Sequence, residues 1–239
     1  MDHLMNKGTL WLIPSDLGDT HSGQVIPAFN LKVIGELKIF IVEEIRTSRR
    51  FLKKCIPGIN IDELEFLVYN EHSDKNILSP YLDPLLQGKD TGLLSEAGVP
   101  CIADPGSEIV KAAHEHHIIV KPLTGPSSLF LALMASGFNG QNFTFHGYLP
   151  VDKKKRRATL LEMEKVIYTK DQTQLFIEAP YRNIQLLGAI LETCMDSTLL
   201  CIATRLTEDD EMIRVRSVRE WKKHIPQFDK KPSVFLLYR

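Results

Sequence analysis

Short apolar runs alternate with helical stretches along the whole 239-residue chain, and this alternation constrains the fold more than any other feature. Most runs are apolar throughout, which is typical of strands in sheets covered on both faces, and they lie at residues 10–14, 37–42, 92–95, 118–122, 175–178, 199–204 and 234–238. Helices are predicted between them, at residues 24–35, 48–55, 76–87, 107–116, 127–136, 154–167, 182–194 and 218–224. The alternation predicts an α/β protein with largely parallel sheets.

The clearest domain boundary is the Pro-Leu-Thr-Gly-Pro segment at residues 122–126. It follows an apolar run, and its two prolines and glycine are typical of a loop. We therefore predict an N-terminal domain of residues 1–122 and a C-terminal domain of residues 126–239. Each is of ordinary domain size.

The charge balance excludes a strongly basic nucleic-acid-binding protein. The net charge is −1, so contacts to RNA have to come from local basic patches. No apolar segment near the N-terminus is long enough for a signal peptide or a membrane span, and the sequence predicts a cytoplasmic protein that does not enter a membrane.

The chain shows no pattern typical of a metal site. Its four cysteines lie far apart without a C-x-x-C pair, and we interpret them as reduced core thiols. The Glu-His-His sequence at residues 115–117 follows His114 at the end of a predicted helix, and we interpret it as a solvated turn. We expect no bound metal.

Two loops carry the strongest chemical signals. Residues 93–107 read Leu-Leu-Ser-Glu-Ala-Gly-Val-Pro-Cys-Ile-Ala-Asp-Pro-Gly-Ser, a strand that leads through a glycine- and proline-rich loop into a helix. Ligands of open α/β sheets bind at such carboxyl-end loops, but the segment is also a sound strand–helix connection. Residues 124–128 read Thr-Gly-Pro-Ser-Ser before a helix, where the serines can cap the helix, hold a ligand, or do both.

In this order and at this separation, the two loops resemble those of the tetrapyrrole-methylase superfamily, and most of all its ribosomal-RNA small-subunit methyltransferase I family. The resemblance extends through segments at residues 8–14, 43–52, 69–72, 145–150, 176–182 and 203–207. It implies two α/β domains with a cofactor cleft between them, usually in a homodimer. The implied activity is S-adenosylmethionine-dependent methylation of a ribose 2′-hydroxyl in small-subunit ribosomal RNA.

The resemblance also implies a set of residues that contact S-adenosylmethionine. In the first half and the linker these are Pro14, Gly98, Val99, Ile102, Asp104, Ser127 and Ser128. In the second half they are Phe176, Ala179, Leu206 and Pro232. The physical requirements agree, because the cofactor needs a backbone-lined slot, an acceptor for the ribose hydroxyls and partners for its amino-acid end.

Charged residues inside the resembling segments are the candidates for catalysis and for substrate binding. A ribose hydroxyl has to lose a proton as it is methylated, and the candidate bases are Glu43, Glu44 and Glu178. Each of them can equally belong to a structural ion pair. The candidates for binding an anionic substrate are Arg46, Arg49, Arg50 and Arg182, because the guanidinium fork matches phosphate oxygens.

A second basic cluster, at residues 153–157, reads Lys-Lys-Lys-Arg-Arg. Charge runs of this kind are usually solvated helix starts, although RNA and a carboxylate-rich tetrapyrrole are both anions that such a cluster would attract.

Three departures from the ribosomal-RNA family leave alternatives open. The turn after the first strand has less glycine than in the family, residues 208–211 form the acidic run Glu-Asp-Asp-Glu, and the family commonly carries a further C-terminal segment. An acidic run would repel a phosphate backbone unless it is merely a solvated loop. The alternatives are a tetrapyrrole C-methyltransferase of the same superfamily and a degenerate relative that binds cofactor or RNA without catalysis.

Overall fold

The computed structural model describes residues 7–18, 22–225, 228 and 230–239. The chain divides into two compact units, one ending at Ser127 and the other beginning at Ser128. Each unit contains one five-stranded sheet with helices packed against it. The mixed α/β class predicted from the alternating pattern is confirmed.

The first unit alternates strands and helices. Its elements are β1 (Thr9–Ile13), α1 (Ser22–Val25), α2 (Ala28–Glu36), β2 (Ile39–Val42), α3 (Ile45–Cys55), β3 (Glu65–Val68), α4 (Ser79–Leu86), β4 (Thr91–Leu94), α5 (Ser107–Glu115) and β5 (Ile119–Pro122). The strands pair in the order β3-β2-β4-β1-β5, and every pairing is parallel. Their carboxyl ends therefore meet along one edge of the sheet.

Both faces of this first sheet are covered, as its continuous apolar strands predict. One core cluster packs β1 and β2 against α2 and α3, with Phe40, Ile34 and Leu52 fully buried. A second cluster packs the opposite face against α4 and α5 through Leu85 and Ile109. Two covered faces are the usual condition for a parallel sheet.

The second unit contains α6 (Ser128–Ser136), β6 (Phe143–Tyr148), α7 (Lys153–Lys170), β7 (Thr173–Ile177), α8 (Asn183–Thr193), β8 (Leu199–Thr204), β9 (Met212–Ser217), α9 (Val218–Trp221) and β10 (Ser233–Tyr238). Its strands pair in the order β6-β7-β10-β8-β9. Only β6 and β7 run parallel, whereas the other three pairings are antiparallel. The expectation of largely parallel sheets is wrong for this unit, because a short loop joins β8 to β9 and consecutive strands joined in this way form an antiparallel hairpin.

The core of the second unit is built by α7 and α8 against the sheet. Phe176 and Phe235 stack on neighbouring strands with ring centroids 5.8 Å apart, and Trp221 is fully buried. The indole nitrogen of Trp221 donates to the carbonyl of Leu200 at 2.9 Å. The buried polar atom of this ring therefore has a partner, as a buried donor requires.

Three strands, β3, β6 and β9, were not predicted from the sequence. All three lie at sheet edges, and each keeps several side chains partly exposed. The predicted helix at 76–87 begins at Ser79, with Pro80 in its first turn and Pro84 inside it. In the described ranges, no helix has both the length and the apolar character needed to cross a bilayer.

Candidate functional site

A cavity of about 530 Å³ lies at the carboxyl edge of the first sheet. Its walls come from the segments after β1 and β4 and from α3, and they comprise Ser15, Asp16, Leu17, Gly18, Thr47, Ser48, Arg50, Phe51, Lys54, Leu94, Ser95, Glu96 and Ala97. The Nζ atom of Lys54 pairs with Oδ2 of the buried Asp16 at 2.8 Å. Ligands of open parallel sheets bind at this edge, so the fold places the cavity where a substrate is expected.

The loop after β4 links this cavity to Asp104. The hydroxyl of Ser95 donates to Oδ2 of Asp104 at 2.7 Å. Between them, Cys101 and Ala103 have φ values of 66° and 59°, in the left-handed region that side chains other than glycine rarely adopt. Strained conformations of this kind cluster at ligand-binding loops, and Ile102, which lies between the two residues, is 51% exposed.

A cluster of carboxyl groups adjoins the cavity. Burial, followed by a hydrogen bond to Asp104 and the charges of Asp104, Glu96 and Glu71, raises the pKa of Glu43 to about 8. The hydroxyl of Thr47 donates to Oε1 of Glu96 at 2.7 Å. A carboxyl group with a pKa near neutrality is suited to accept a proton in a reaction, so Glu43 has the property required of a general base.

The other two candidate bases have structural partners. Glu44 caps α3, where its carboxylate accepts a hydrogen bond from the Thr47 backbone N–H at 2.7 Å. Backbone hydrogen bonds from Arg46 and Thr47 lower the pKa of Glu44. The side chain of Glu178 is fully buried and pairs with Arg182 at 2.6 Å. Of the three candidates, Glu43 has the environment best suited to proton transfer.

Three segments of the predicted cofactor set meet at the ends of β1 and β4. The backbone N–H of Ser15 donates to the carbonyl of Gly98 at 2.9 Å. A Cβ atom on Gly125 would lie 2.2 Å from the Cγ atom of Pro14, so only glycine allows this approach. The structure thus brings together segments that are more than 80 residues apart in sequence.

Val99, Ser127 and Ser128, which also belong to that set, are close in sequence to these contacting residues. Val99 is half-buried in the loop that follows Gly98. Ser127 is buried, and Ser128 is the first residue of α6.

The arginines of α3 differ in their surroundings. Arg50 lines the cavity, one turn before Lys54. The guanidinium of Arg49 lies over the ring of Phe66, 5.4 Å from its centroid, and Arg46 is exposed near Glu44. Of the three, therefore, only Arg50 lines the cavity.

The predicted residues of the second unit lie at one end of its sheet. Phe176 is fully buried in the core, so its side chain is not available to a ligand, whereas Ala179 is half-buried. The backbone N–H of Arg205 donates to the carbonyl of Pro232 at 3.0 Å, which places Pro232 beside the buried Leu206.

The acidic run lies in the loop between β8 and β9 and is largely paired. Arg205 forms ion pairs with Glu208 and Asp210, and Lys231 pairs with Asp210 at 3.0 Å. Glu211 accepts a hydrogen bond from the backbone N–H of Thr207 at 2.8 Å. The run is therefore more than a solvated loop, and much of the negative charge that would repel an anion is neutralised locally.

Of the cavity wall, sequence reasoning named only Arg50 as a site residue, although the wall residues between positions 47 and 51 and between 94 and 97 lie in segments that carry the family resemblance. Lys54 had a detectable signal, since it lies four residues after Arg50 and eight after Arg46 on the same helix. Asp16 had none, because its pairing with Lys54 joins positions 38 residues apart in sequence. Ser15 and Thr47 are equally ordinary in sequence and gain significance only through their position at the sheet edge.

The described part of the chain contains no evident metal site and no evident reactive thiol. No group of three or more His, Cys, Asp or Glu side chains there is placed to hold a metal ion. The four cysteines, all of them described, form no disulfide. Burial raises the pKa of the Cys194 and Cys201 thiols to about 12, so neither is a reactive thiolate at neutral pH.

An open parallel sheet with a polar cavity and a pair of partly buried carboxyl groups at its carboxyl edge is typical of α/β enzymes, which bind their ligands at that edge. Residues 33–221 match the model of the Tetrapyrrole (Corrin/Porphyrin) Methylases. The chain belongs to this family, which makes it a methyltransferase by class. The family resemblance found in the sequence is thereby confirmed.

Individual relatives agree with the family match. The chain is 30% identical over 230 residues to the Ribosomal RNA small subunit methyltransferase I of Vibrio cholerae, covering 95% of this chain and 76% of the relative. It is 30% identical over 211 residues to the protein of the same name from Bacillus subtilis, covering 87% and 68%. For the Halalkalibacterium halodurans relative the identity is 31%, and only 62% of the relative's length is covered.

Solved structures support the fold. The methyltransferase CobJ superposes over 98% of this chain and 94% of its own, with a TM-score of 0.64 at 16% identity. The cobalt precorrin-4 methyltransferase CbiF covers 96% of this chain and 94% of its own, with a TM-score of 0.62 at 16% identity. At such low identity these likenesses establish the fold alone.

Proposed function

We propose that the chain uses S-adenosylmethionine to methylate a ribose 2′-hydroxyl of small-subunit ribosomal RNA. The observation that carries this proposal is the cavity at the carboxyl edge of the first sheet. Its wall contains the cations Arg50 and Lys54 together with Glu96, whose charge contributes to the raised pKa of Glu43. The names of the relatives from Vibrio cholerae and Bacillus subtilis point to the same substrate.

The residues at the end of β1 and after β4 fit the cofactor. The strained loop around Ile102 presents an exposed apolar side chain and irregular backbone, which suit a nucleoside. Asp104 provides a carboxylate for hydroxyl groups, and Pro14, Gly98, Val99 and Ser127 complete the proposed set. S-adenosylmethionine supplies an activated methyl group when it is bound, so no metal is needed for this chemistry. A role for Ser128, Phe176, Ala179, Leu206 and Pro232 remains a prediction from the resemblance.

Glu43 is the proposed proton acceptor. Transfer of the methyl group to the ribose oxygen would break its bond to the cofactor's sulfur, and the hydroxyl proton would have to leave. A carboxylate with a pKa of about 8 accepts that proton more readily than one with a pKa of 4.5. Burial is the main cause of the raised pKa of Glu43, and Asp104 adds to it through a hydrogen bond and through its charge, which opposes ionisation of Glu43. Glu44 and Glu178 have mainly structural roles in this proposal.

Cations of α3 are proposed to hold the RNA backbone. Arg50 and Lys54 line the cavity, and Phe51 between them offers a ring on which a base can stack. Arg46 and Arg49 extend the basic surface along the same helix. In contrast, Arg182 is proposed to act through its ion pair with Glu178.

Two further properties belong to the proposal. A ribosomal-RNA substrate implies that the protein acts in the cytoplasm.

The other property is a homodimer. On α6, Phe130 is 62% exposed and Met134, one turn later, is 75% exposed, and such an apolar pair is suited to a homodimer contact. Analytical ultracentrifugation of the wild-type chain and of Met134→Lys tests the dimer. If the dimer forms through this pair, the variant should sediment more as a monomer than the wild type does.

The substrate is tested by incubating the full chain with small ribosomal subunits that lack this methyl group, together with S-adenosylmethionine carrying a tritiated methyl group. Label in a single ribose is expected. Arg50→Gln should lower kcat/KM by about tenfold, whereas Lys53→Gln, on the same helix but outside the cavity wall, should have little effect.

The alternatives give different results in this assay. Cofactor binding without label in any RNA would favour a tetrapyrrole acceptor, or a relative that binds without catalysis. Absence of cofactor binding in calorimetry would overturn the proposal altogether.

A further inference from the structure

The helix α7 of the second unit buries an arginine on the face that otherwise packs apolar side chains into the core. Arg156, Leu160, Met163 and Ile167 recur at helical spacing on the buried face of α7. The last three belong to the hydrophobic core, whereas Arg156 is only 3% exposed. The basic run at residues 153–157 is thus not simply a solvated helix start, since one of its members points inward.

This guanidinium has little to neutralise it in the described chain. Its Nε and Nη1 atoms are buried and have no hydrogen-bond partner there. The same helix buries one other charge, that of Glu164, which accepts from the Thr198 hydroxyl at 2.5 Å and the Met195 backbone N–H at 2.8 Å. Glu164 lies two turns away, at about 12 Å along the axis, and does not pair with Arg156.

A cavity of about 360 Å³ adjoins Arg156 between α7 and α8. Lys153 and Arg157 from the first turn of α7 also line it, and the α8 side contributes Gly188 and the carboxylate of Glu192. A Cβ atom on Gly188 would meet nothing within 4 Å, so the wall is open at this point. Three cations and one carboxylate leave the cavity positive.

We propose that this cavity binds a phosphate group, with Arg156 as its central ligand. A buried guanidinium is stable only when an acceptor compensates it, and its planar fork matches two phosphate oxygens. Lys153 and Arg157 can bind the remaining oxygens, and the positive end of the α7 dipole favours an anion at the same place. The phosphate comes either from an RNA backbone or from a free phosphorylated molecule.

The site is independent of the proposed methylation site. The two cavities share no lining residue, and the second lies wholly within the second unit. Failure of the methylation proposal would therefore leave this one standing, and the reverse also holds.

Calorimetry with inorganic phosphate tests the site on the full chain. The wild type should bind phosphate with millimolar affinity, and Arg156→Met should weaken binding at least tenfold. Lys154→Met removes a neighbouring cation that does not line the cavity, and its affinity should stay within about twofold of the wild type. Arg156→Met should also unfold at a higher temperature in phosphate-free buffer, since it removes an uncompensated buried charge.

A second variant keeps the test decisive if Arg156→Met folds poorly. Gly188→Met fills the open side of the cavity without changing its charge, and it should abolish phosphate binding. Wild-type affinity in both Arg156→Met and Gly188→Met would overturn the proposal. So would equal losses in Lys154→Met and Arg156→Met, which would indicate general electrostatic attraction only.

Fluorescence anisotropy with a labelled RNA oligonucleotide distinguishes the two sources of phosphate. If the cavity holds an RNA phosphate, Arg156→Met should weaken RNA binding about tenfold and reduce the salt slope by about one. If RNA affinity is unchanged while phosphate binding is lost, the ligand is a free phosphorylated molecule. Either result supports the cavity as a phosphate site.

Discussion

Replacement of Glu43 by glutamine should make the protein more stable at alkaline pH, and the size of the effect follows from the carboxyl cluster. The pKa of Glu43 rises from 4.5 to about 8 in the folded chain, chiefly through burial and the neighbouring Asp104. The folded state therefore retains a proton that the unfolded state releases. This contribution to stability is complete below about pH 4.5 and is lost as the pH rises through about 8.

The full shift corresponds to an upper limit of about 5 kcal/mol, because each pKa unit is worth about 1.4 kcal/mol. Glu43 is only partly buried, so screening by solvent reduces the expected effect to about 1–2 kcal/mol. Glutamine is neutral at every pH and can donate a hydrogen bond to Asp104. Glu43→Gln should therefore match the wild type near about pH 5 and exceed its stability by about 1–2 kcal/mol near about pH 8.5.

Urea unfolding of both proteins across this pH range measures the difference in free energy of unfolding. Other titrating groups, including the histidines, cancel in that difference. Glu65→Gln is the matched control, because it makes the same chemical change at an exposed position on the edge strand β3. A constant difference between Glu43→Gln and the wild type would refute the assigned pKa and, with it, the reasoning that makes Glu43 a base.

Three further outcomes are expected. Methyl transfer to RNA should rise about tenfold per pH unit below about pH 8 and level off above it, and Glu43→Gln should remove this limb of the pH–rate profile. Gly125→Ala should lower the free energy of unfolding by about 2 kcal/mol and weaken cofactor binding in calorimetry, because its Cβ would overlap the ring of Pro14. Arg182→Met should lower the free energy of unfolding by about 3 kcal/mol in urea, because the buried carboxylate of Glu178 loses its ion pair. An unchanged unfolding midpoint in either variant would contradict the packing described for that residue.

Edge strands show why part of the fold was not predictable. The strands at the centre of each sheet are buried on both faces, and their continuous apolar runs predicted β2, β4, β8 and β10. The strand β9 reads Met-Ile-Arg-Val-Arg-Ser and lies at an edge, where two arginines can face solvent. A strand whose side chains are partly exposed lacks the continuous apolar run that identifies a strand covered on both faces.

The candidate site was predictable only in part, for a similar reason. The loop containing Gly98 and Asp104 was recognisable because glycine, proline and aspartate follow one another after a buried strand. The pairing of Lys54 with the buried Asp16 was not, since neither residue type indicates such a contact. The burial of Arg156 was likewise hidden, because it belongs to a basic run that resembles a solvated helix start.

The sequence by itself determined the α/β class, the family and the loops that carry its chemistry, because periodicity and local motifs depend on neighbouring residues. Tertiary structure alone decided which charges are paired, buried or exposed. Glu43, Glu44 and Glu178 are equivalent in sequence, yet one is partly buried and has a pKa raised by burial and by Asp104, one caps a helix and one lies in a buried ion pair. Their pKa values and roles depend on burial and on charges brought close by the fold, and that information is not local in the chain.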